Sequence, residues 1–108
     1  MPAKPLEGQI ALITGAAKRI GRSIALRLAA DGADIVVNYA SSQPEADALV
    51  AEIKSAGRRA IAVKADVSHR SDVQNLFSAA ENEFGRLDIL VNNTGTFFPA
   101  KFEELTEE

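Results

Sequence analysis

Apolar residues occur along this chain in four short, nearly continuous runs. The runs are Gln9–Thr14, Asp34–Tyr39, Arg59–Ala65 and Leu87–Asn92. Within them, stretches such as Ile35-Val36-Val37 do not alternate with polar residues. A strand has this pattern when both faces of its sheet are covered, as they are in parallel sheets. We therefore predict four buried parallel strands.

The segments between the runs have the spacing of amphipathic helices. In the third segment the apolar positions are Val73, Leu76, Phe77, Ala80 and Phe84. In the second they are Ala46, Leu49, Val50 and Ile53, and in the first Ile20, Ile24, Leu28 and the small Ala25. Residues spaced in this way lie on one side of a helix. We expect each set to face the sheet.

Glycines and short polar residues mark where the helices end and begin. Each predicted helix ends at a glycine, namely Gly32, Gly57 or Gly85, and glycine readily adopts the left-handed conformation that closes a helix. Ser42 begins a capping-box pattern for the second helix, with proline in the first turn. Ser68 is the expected cap of the third helix.

This order of elements predicts an α/β fold. A strand returns roughly every 25 residues with a helix between, which is typical of a parallel sheet with helices on both faces. Among the topologies that right-handed crossovers permit, we expect a three-layer, doubly wound Rossmann arrangement with strand order 3-2-1-4. The length of 108 residues fits one domain. Beyond the fourth strand we expect a loop over Asn93–Lys101 and the start of a helix over Phe102–Glu108.

Composition and charge narrow the possible partners. The net charge of −3 argues against a nucleic-acid partner, because nonspecific binding to phosphates needs a basic surface. The chain has no cysteine, which excludes disulfides and thiolate metal ligands and suggests a reducing cytoplasmic location. No apolar run is long enough to span a membrane, and no His/Asp/Glu cluster has metal-ligand spacing. We expect neither a membrane nor a metal partner.

A glycine-rich turn follows the first strand and leads into the first helix. Its sequence is TGAAKRIG, residues 14–21. Such a turn places backbone N–H groups and the positive end of a helix against an anion. Gly15 permits the tight turn, and Gly21 permits close packing or close approach of a pyrophosphate. An ordinary strand–helix connection is the alternative interpretation of this segment taken alone.

Three segments in order resemble the short-chain dehydrogenase/reductase family. TGAAKRIG resembles its TGxxxGxG signature, Asp66-Val67 follows the third strand where the family contacts adenine, and Asn92-Asn93-Thr94-Gly95 is similar to its NNAG segment. The resemblance extends from about Leu6 onward and implies that residues 1–108 are the dinucleotide-binding half of a family domain. It implies that Asn93 lies along the cofactor ribose and that Asn92 steadies the central sheet. Asp66 contacts the adenine on this resemblance, although it could instead only cap the next helix.

Two residues depart from the family pattern. Thr94 replaces the alanine of NNAG, which is a small change. Arg19 replaces the middle glycine of the first motif, so its side chain must be accommodated beside the cofactor phosphates. This segment is similar to the pteridine-reductase-like branch, where an arginine is normal, and we interpret Arg19 as a specialisation.

The end of the second strand bears on the choice of cofactor. NAD-binding Rossmann folds place an Asp or Glu there to bind the ribose 2′-hydroxyl, whereas this chain has Asn38-Tyr39-Ala40-Ser41-Ser42. The missing carboxylate, with Lys18 and Arg19 across the cleft, favours NADP(H) over NAD(H). Ser41 and Ser42 could donate to the 2′-phosphate, or could serve only as a turn and a helix cap. Lys18 could also be simply a solvated lysine.

The resulting set of expected cofactor-binding residues is Gly15, Lys18, Arg19, Ile20, Gly21, Tyr39, Ala40, Ser41, Ser42, Asp66, Val67, Asn93, Thr94 and Gly95. The lone histidine, His69, lies beside Arg70 and is interpreted as a solvated surface residue.

Residues expected to perform catalysis are missing from this sequence. The family uses a YxxxK motif, a serine and often an asparagine. The single tyrosine, Tyr39, is followed four positions later by Gln43, so it does not form that motif. On the resemblance, all four catalytic positions fall beyond Glu108, as do the helices that usually form the dimer interface. We expect the full-length form to be a homo-oligomer.

The resemblance implies an NADP(H)-dependent oxidoreductase that transfers a hydride between nicotinamide and a small carbonyl or imine substrate. The close comparisons are 3-oxoacyl-carrier-protein reductases and, as an alternative, pteridine reductases. Phe97 follows the fourth strand, where an aromatic ring could lie over a planar substrate; it could equally pack beneath its own loop. A non-catalytic nucleotide-binding module is the rival class of function.

Overall fold

The computed structural model describes residues 4–94. In this range the elements are β1 (Ile10–Ile13), α1 (Arg19–Ala30), β2 (Asp34–Tyr39), α2 (Gln43–Ser55), β3 (Ala60–Lys64), α3 (Arg70–Phe84) and β4 (Ile89–Val91). The four predicted strands and three predicted helices are confirmed. β2 has the predicted bounds, and the other strands are shorter by one or two residues at each end.

The strands form a parallel sheet in the order β3-β2-β1-β4. This confirms the predicted α/β Rossmann topology. Ile13, near the end of central β1, lies opposite both Val37 and Val91, so the carboxyl ends of three strands meet at one edge. The predicted loop Asn93–Lys101 lies almost entirely, and the predicted helix Phe102–Glu108 wholly, outside the described residues.

Two apolar cores cover the two faces of the sheet, which explains why the apolar runs do not alternate. On one face, Ile13, Ile35 and Val37 pack with residues of α1 and α2. On the other, Leu12 and Val36 pack with the Val73, Leu76 and Ala80 face of α3. Successive strand residues point to opposite faces, so a strand between two helical layers needs apolar side chains at every position.

The predicted face of α1 is confirmed at Ala25, which is buried, and at Ile24 and Leu28, which pack against the core. It is wrong at Ile20, which is 68% exposed. The fully buried residues of the helix are Gly21, Ala25 and Ala29, and such small residues allow the helix backbone to approach the sheet closely. Ile20 lines a shallow open groove along the outer side of α1.

The three predicted glycines follow the helix ends, whereas neither of the two predicted serine hydroxyls caps a helix. Gly32, Gly57 and Gly85 all have left-handed φ values and follow their helices within two residues. Ser42 lies at the N-cap of α2 but its hydroxyl forms no capping bond. Ser68 is not the cap of α3: that position belongs to His69. The Ser68 hydroxyl instead donates to Asp66 Oδ1 at 2.6 Å, because the chain turns once more before the helix begins.

Within residues 4–94, no helix combines the length and the apolar character needed to cross a membrane. The described helices have between 12 and 15 residues.

Hydrogen bonds of Asp88 connect the start of β4 to β1. Its Oδ2 accepts the Ile10 backbone N–H at 2.8 Å, while its own N–H donates to the Ile10 carbonyl at 2.9 Å. The other carboxylate oxygen accepts from Arg86 Nη2 at 2.6 Å. The hydrogen bond from Arg86, followed by that from Ile10, lowers the pKa of Asp88 below its usual range. The short edge strand β4 is therefore held by a charged carboxylate.

We predict that Asp88→Asn destabilises the fold by about 1 kcal/mol near neutral pH, because the variant loses the charge that pairs with Arg86. Since the folded-state pKa is lowered, the contribution of Asp88 is full above its unfolded value of about 3.9 and is lost as pH falls through the folded value. Urea unfolding of native and variant protein across the acid range checks this. The gap in unfolding free energy should close at low pH, and a gap that stays constant would contradict the assignment. Asp47→Asn, at an exposed helix carboxylate, is the control.

Candidate functional site

Loops from all four strands converge at the carboxyl edge of the sheet. The β1–α1 turn lies in the middle, with the segment after β4 on one side and the β2–α2 loop on the other. In open parallel sheets, ligands bind at this edge, where the strand order reverses. Here the reversal lies between β1 and β4.

Gly21 brings α1 into direct contact with the turn that precedes it. A Cβ atom at Gly21 would lie 2.5 Å from the Gly15 carbonyl oxygen and 2.6 Å from Asn93 Nδ2. Gly15 itself has a φ of 61°, and a Cβ there would lie 2.8 Å from the Thr94 methyl group. Both glycines are therefore required by close packing. Thr94, which stands where the NNAG segment has alanine, adds its methyl group to the crowding at Gly15.

Arg19 begins α1 in a conformation that usually belongs to glycine. Its φ is 59°, and it is the sole non-glycine residue with positive φ in residues 4–94. A side chain in this region costs about 1 kcal/mol or more. The chain therefore retains a cation at a position where glycine would relieve strain, which is a pattern typical of functional sites.

The first turn of α1 lacks a side-chain acceptor. Its N-cap residue is Lys18, which forms no capping bond, and the first turn contains no acidic residue. The N–H groups at a helix start need acceptors, and the helix dipole there favours an anion. The side chains of Lys18 and Arg19 are exposed and form no ion pair with any described residue. This helix start is suited to bind phosphate groups.

Thr14 joins the end of β1 to the segment after β4. Its side chain is fully buried, and its Oγ1 accepts the Asn93 N–H at 2.9 Å and lies 3.2 Å from Asn92 Oδ1, to which it donates. Asn92 Oδ1 also accepts from the Thr94 hydroxyl. Asn93 Nδ2 donates to the Gly15 carbonyl at 3.2 Å, so Asn93 supports the glycine turn from the β4 side.

Asn38 joins the same turn to β2, and the set of expected site residues did not include it. It is 2% exposed, and its Oδ1 accepts the Gly15 N–H at 3.0 Å. The signal that could have identified it is a polar side chain inside the apolar run Asp34–Tyr39. A buried amide in a strand must be fully hydrogen-bonded, and here its partner is the glycine-rich turn.

The residues after β2 differ in exposure. Tyr39 is 8% exposed and packs in the core with α2 residues, so its side chain serves the fold. Ala40 and Ser41 are exposed and Ser42 is partly exposed. Among the described residues, the two serine hydroxyls have no hydrogen-bond partner, so both are free to donate to a ligand.

Asp66 is exposed at the end of β3, and Val67 beside it is buried. Asp66 Oδ1 accepts from the hydroxyl and the N–H of Ser68, and Oδ2 lies 3.1 Å from His69 Nδ1. The side-chain and backbone hydrogen bonds from Ser68 lower the pKa of Asp66. Asp66 thus acts as the acceptor of a turn before α3, and its carboxylate retains exposed lone pairs at the site.

Two expected site residues, Gly95 and Phe97, lie outside the described residues. In residues 4–94, no group of three or more His, Asp or Glu side chains is placed to hold a metal ion.

Comparison with known proteins gives consistent matches. Residues 9–108 match the family model of short chain dehydrogenases. An uncharacterized oxidoreductase of Methylorubrum extorquens is 56% identical over 103 residues, which cover 95% of this chain and 42% of the relative. A 3-oxoacyl-[acyl-carrier-protein] reductase of Synechocystis is 50% identical over 90 residues, which cover 83% of this chain and 36% of that protein.

Solved structures agree with this match. A short chain dehydrogenase from Burkholderia cenocepacia in complex with NADP is 50% identical, with a TM-score of 0.81 over 85% of this chain and 38% of that one. The chain therefore spans about two fifths of the length of the proteins that it matches.

We predict that Gly21→Ala destabilises the fold by about 1–3 kcal/mol and weakens phosphate binding, because the new Cβ would push α1 away from the Gly15 carbonyl. Thermal unfolding and titration with a dinucleotide check the two effects. Gly57→Ala is the control: its φ of 92° is unfavourable for alanine, but no atom lies within 4 Å of the added Cβ. The control should cost about 1 kcal/mol and leave binding unchanged. Native-like binding by Gly21→Ala would refute the packing argument.

Proposed function

The chain belongs to the short-chain dehydrogenase family, and from this premise we propose that it forms the nucleotide-binding part of an NADP(H)-dependent oxidoreductase. The observation that carries the proposal is the start of α1, where uncapped N–H groups and two cations without an ion pair to any described residue lie at the edge at which the strands end. The residues present fit a dinucleotide, since its pyrophosphate needs N–H donors and positive charge. When bound, the nicotinamide would supply or accept a hydride.

Each loop has a proposed part in holding this cofactor. The turn Gly15–Gly21 would bind the pyrophosphate through the backbone N–H groups of its later residues, at the start of α1, with Ile20 contributing its N–H. Asp66 and Val67 would contact the adenine, and Asn93, Thr94 and Gly95 would lie along the ribose on the nicotinamide side. Tyr39 and Ala40 would line the adenosine end.

The preference for NADP(H) rests on charge at the end of β2. The carboxylate at the start of that strand, Asp34, pairs with Arg59 at 3.3 Å, at the edge opposite the site. The residues 39–42 carry no negative charge, so nothing there would repel a 2′-phosphate. Lys18 and Arg19 supply positive charge, and Ser41 and Ser42 supply free hydroxyl donors. The NADP complex of the Burkholderia protein supports the same cofactor.

For the full-length protein we propose reduction of a small carbonyl substrate, similar to that of 3-oxoacyl-carrier-protein reductases. The Synechocystis relative supports this class over the pteridine-reductase alternative, in which Phe97 would stack on a planar ring. The catalytic serine, tyrosine and lysine would lie beyond Glu108, and homo-oligomers would form through segments beyond it as well. A protein in which no such residues follow would instead be a nucleotide-binding module.

We predict that Lys18→Ala in the full-length protein weakens NADPH binding by about 1.5–3 kcal/mol and NADH binding little, because a charge-assisted contact to the 2′-phosphate is lost. Dissociation constants for both cofactors, measured by fluorescence titration, check this.

The matched control is Arg27→Ala, which removes another exposed cation of α1 near the far end of the helix. It should leave both dissociation constants unchanged. If Lys18→Ala weakens NADPH and NADH equally, Lys18 does not contact the 2′-phosphate. If the native protein binds neither cofactor, the proposed function is wrong.

A further inference from the structure

Asn38 is a buried polar side chain near the end of the mostly apolar strand β2. It is 2% exposed, and Val36, two residues earlier on the same face of β2, is fully buried. Burying an amide without partners costs several kcal/mol. A valine could fill this position of the strand without that cost, so the packing of the strand alone does not require an amide here.

The amide of Asn38 connects two loops of the site. Its Oδ1 accepts the Gly15 N–H at 3.0 Å, in the turn after β1. Its Nδ2 donates to the Ala65 carbonyl at 3.1 Å and lies 3.3 Å from the Val63 carbonyl, at the end of β3. The two ends cannot be exchanged, because only an oxygen can accept the Gly15 N–H and only a nitrogen can donate to a carbonyl.

The backbone of Asn38 adds to this link. Its carbonyl accepts the Ala16 N–H at 2.9 Å. Asn38 therefore occupies two successive N–H groups of the glycine-rich turn, at Gly15 and Ala16. Those groups are not available to a phosphate, and the free N–H groups of the turn are the ones that follow, at the start of α1. The contacts of Asn38 thus determine which part of the turn can bind the ligand.

We propose that Asn38 is a positioning residue for the dinucleotide: it fixes the glycine-rich turn relative to the β3–α3 loop, so that the pyrophosphate and adenine sites are held at one spacing. This inference rests on the proposed NADP(H) function. In the proposed arrangement, Asn38 does not contact the 2′-phosphate. Its loss therefore weakens NADPH and NADH by the same factor, unlike the loss of Lys18.

The test uses Asn38→Leu in the full-length protein, since leucine has nearly the same size and shape but no hydrogen-bonding atoms. The dissociation constants for NADPH and NADH should both rise about ten- to a hundredfold, as expected when a buried N–H and a buried carbonyl lose their partner. Val36→Ala is the matched control: it creates a cavity in the same strand and lowers stability, but it removes no hydrogen bond between the loops of the site. It should change both dissociation constants less than about twofold.

Thermal unfolding of each variant separates binding from folding. If Asn38→Leu does not fold, Asn38→Ser carries the same expectation, because a hydroxyl cannot reach from Gly15 to Ala65. A folded Asn38 variant with native dissociation constants would overturn the inference and leave the proposed function intact. Selective loss of NADPH affinity would also overturn it, because Asn38 would then act on the 2′-phosphate. Failure of the native protein to bind either cofactor would refute the proposed function itself.

Discussion

The close approach of α1 to the turn before it determines the geometry of the site. Gly21 has no side chain, and even a Cβ atom there would lie 2.5 Å from the Gly15 carbonyl oxygen. This contact places the start of α1 against the ends of the central strands and directs its N–H groups toward the cleft. The small buried row Gly21, Ala25 and Ala29 continues the same approach along the helix. A larger residue in the row would move the start of the helix away from the sheet.

Two buried polar side chains then hold the surrounding loops to this turn. Thr14 connects it to the segment after β4, and Asn38 connects it to the ends of β2 and β3. No buried side-chain polar atom among the described residues lacks a partner, so these links carry no desolvation penalty for unpaired groups. Arg19 is the one element of the turn that costs stability, through its left-handed backbone. The proposed function gives a reason for that cost, since Arg19 adds positive charge beside the phosphates.

The topology could be predicted because a strand between two helical layers must be apolar at nearly every position, and β1 and β2 are. The predicted face of α1 was wrong only at Ile20, which is exposed, whereas Ile24 and Leu28 pack against the core. Periodicity identifies large apolar residues, but the fully buried positions of this helix are the small residues Gly21, Ala25 and Ala29. The prediction of Ser68 as a helix cap was also wrong, because Asp66 holds that hydroxyl in a turn. Asn38 was overlooked. A polar residue inside an apolar run marks the position as unusual, but nothing in a linear pattern shows which loop a buried amide will contact.

We expect replacement of Arg19 by glycine to raise stability and to lower cofactor affinity, and these opposite effects test the proposed phosphate site most directly. The measurement compares Arg19→Gly with the native full-length protein in unfolding free energy and in the dissociation constants for NADPH and NADH. Glycine should relieve the left-handed strain and stabilise the fold by about 1 kcal/mol. It should weaken NADPH about tenfold through the lost phosphate contact and change NADH far less. A variant that is less stable than the native protein and binds NADPH equally well would contradict both the backbone strain at Arg19 and its contact with the phosphates.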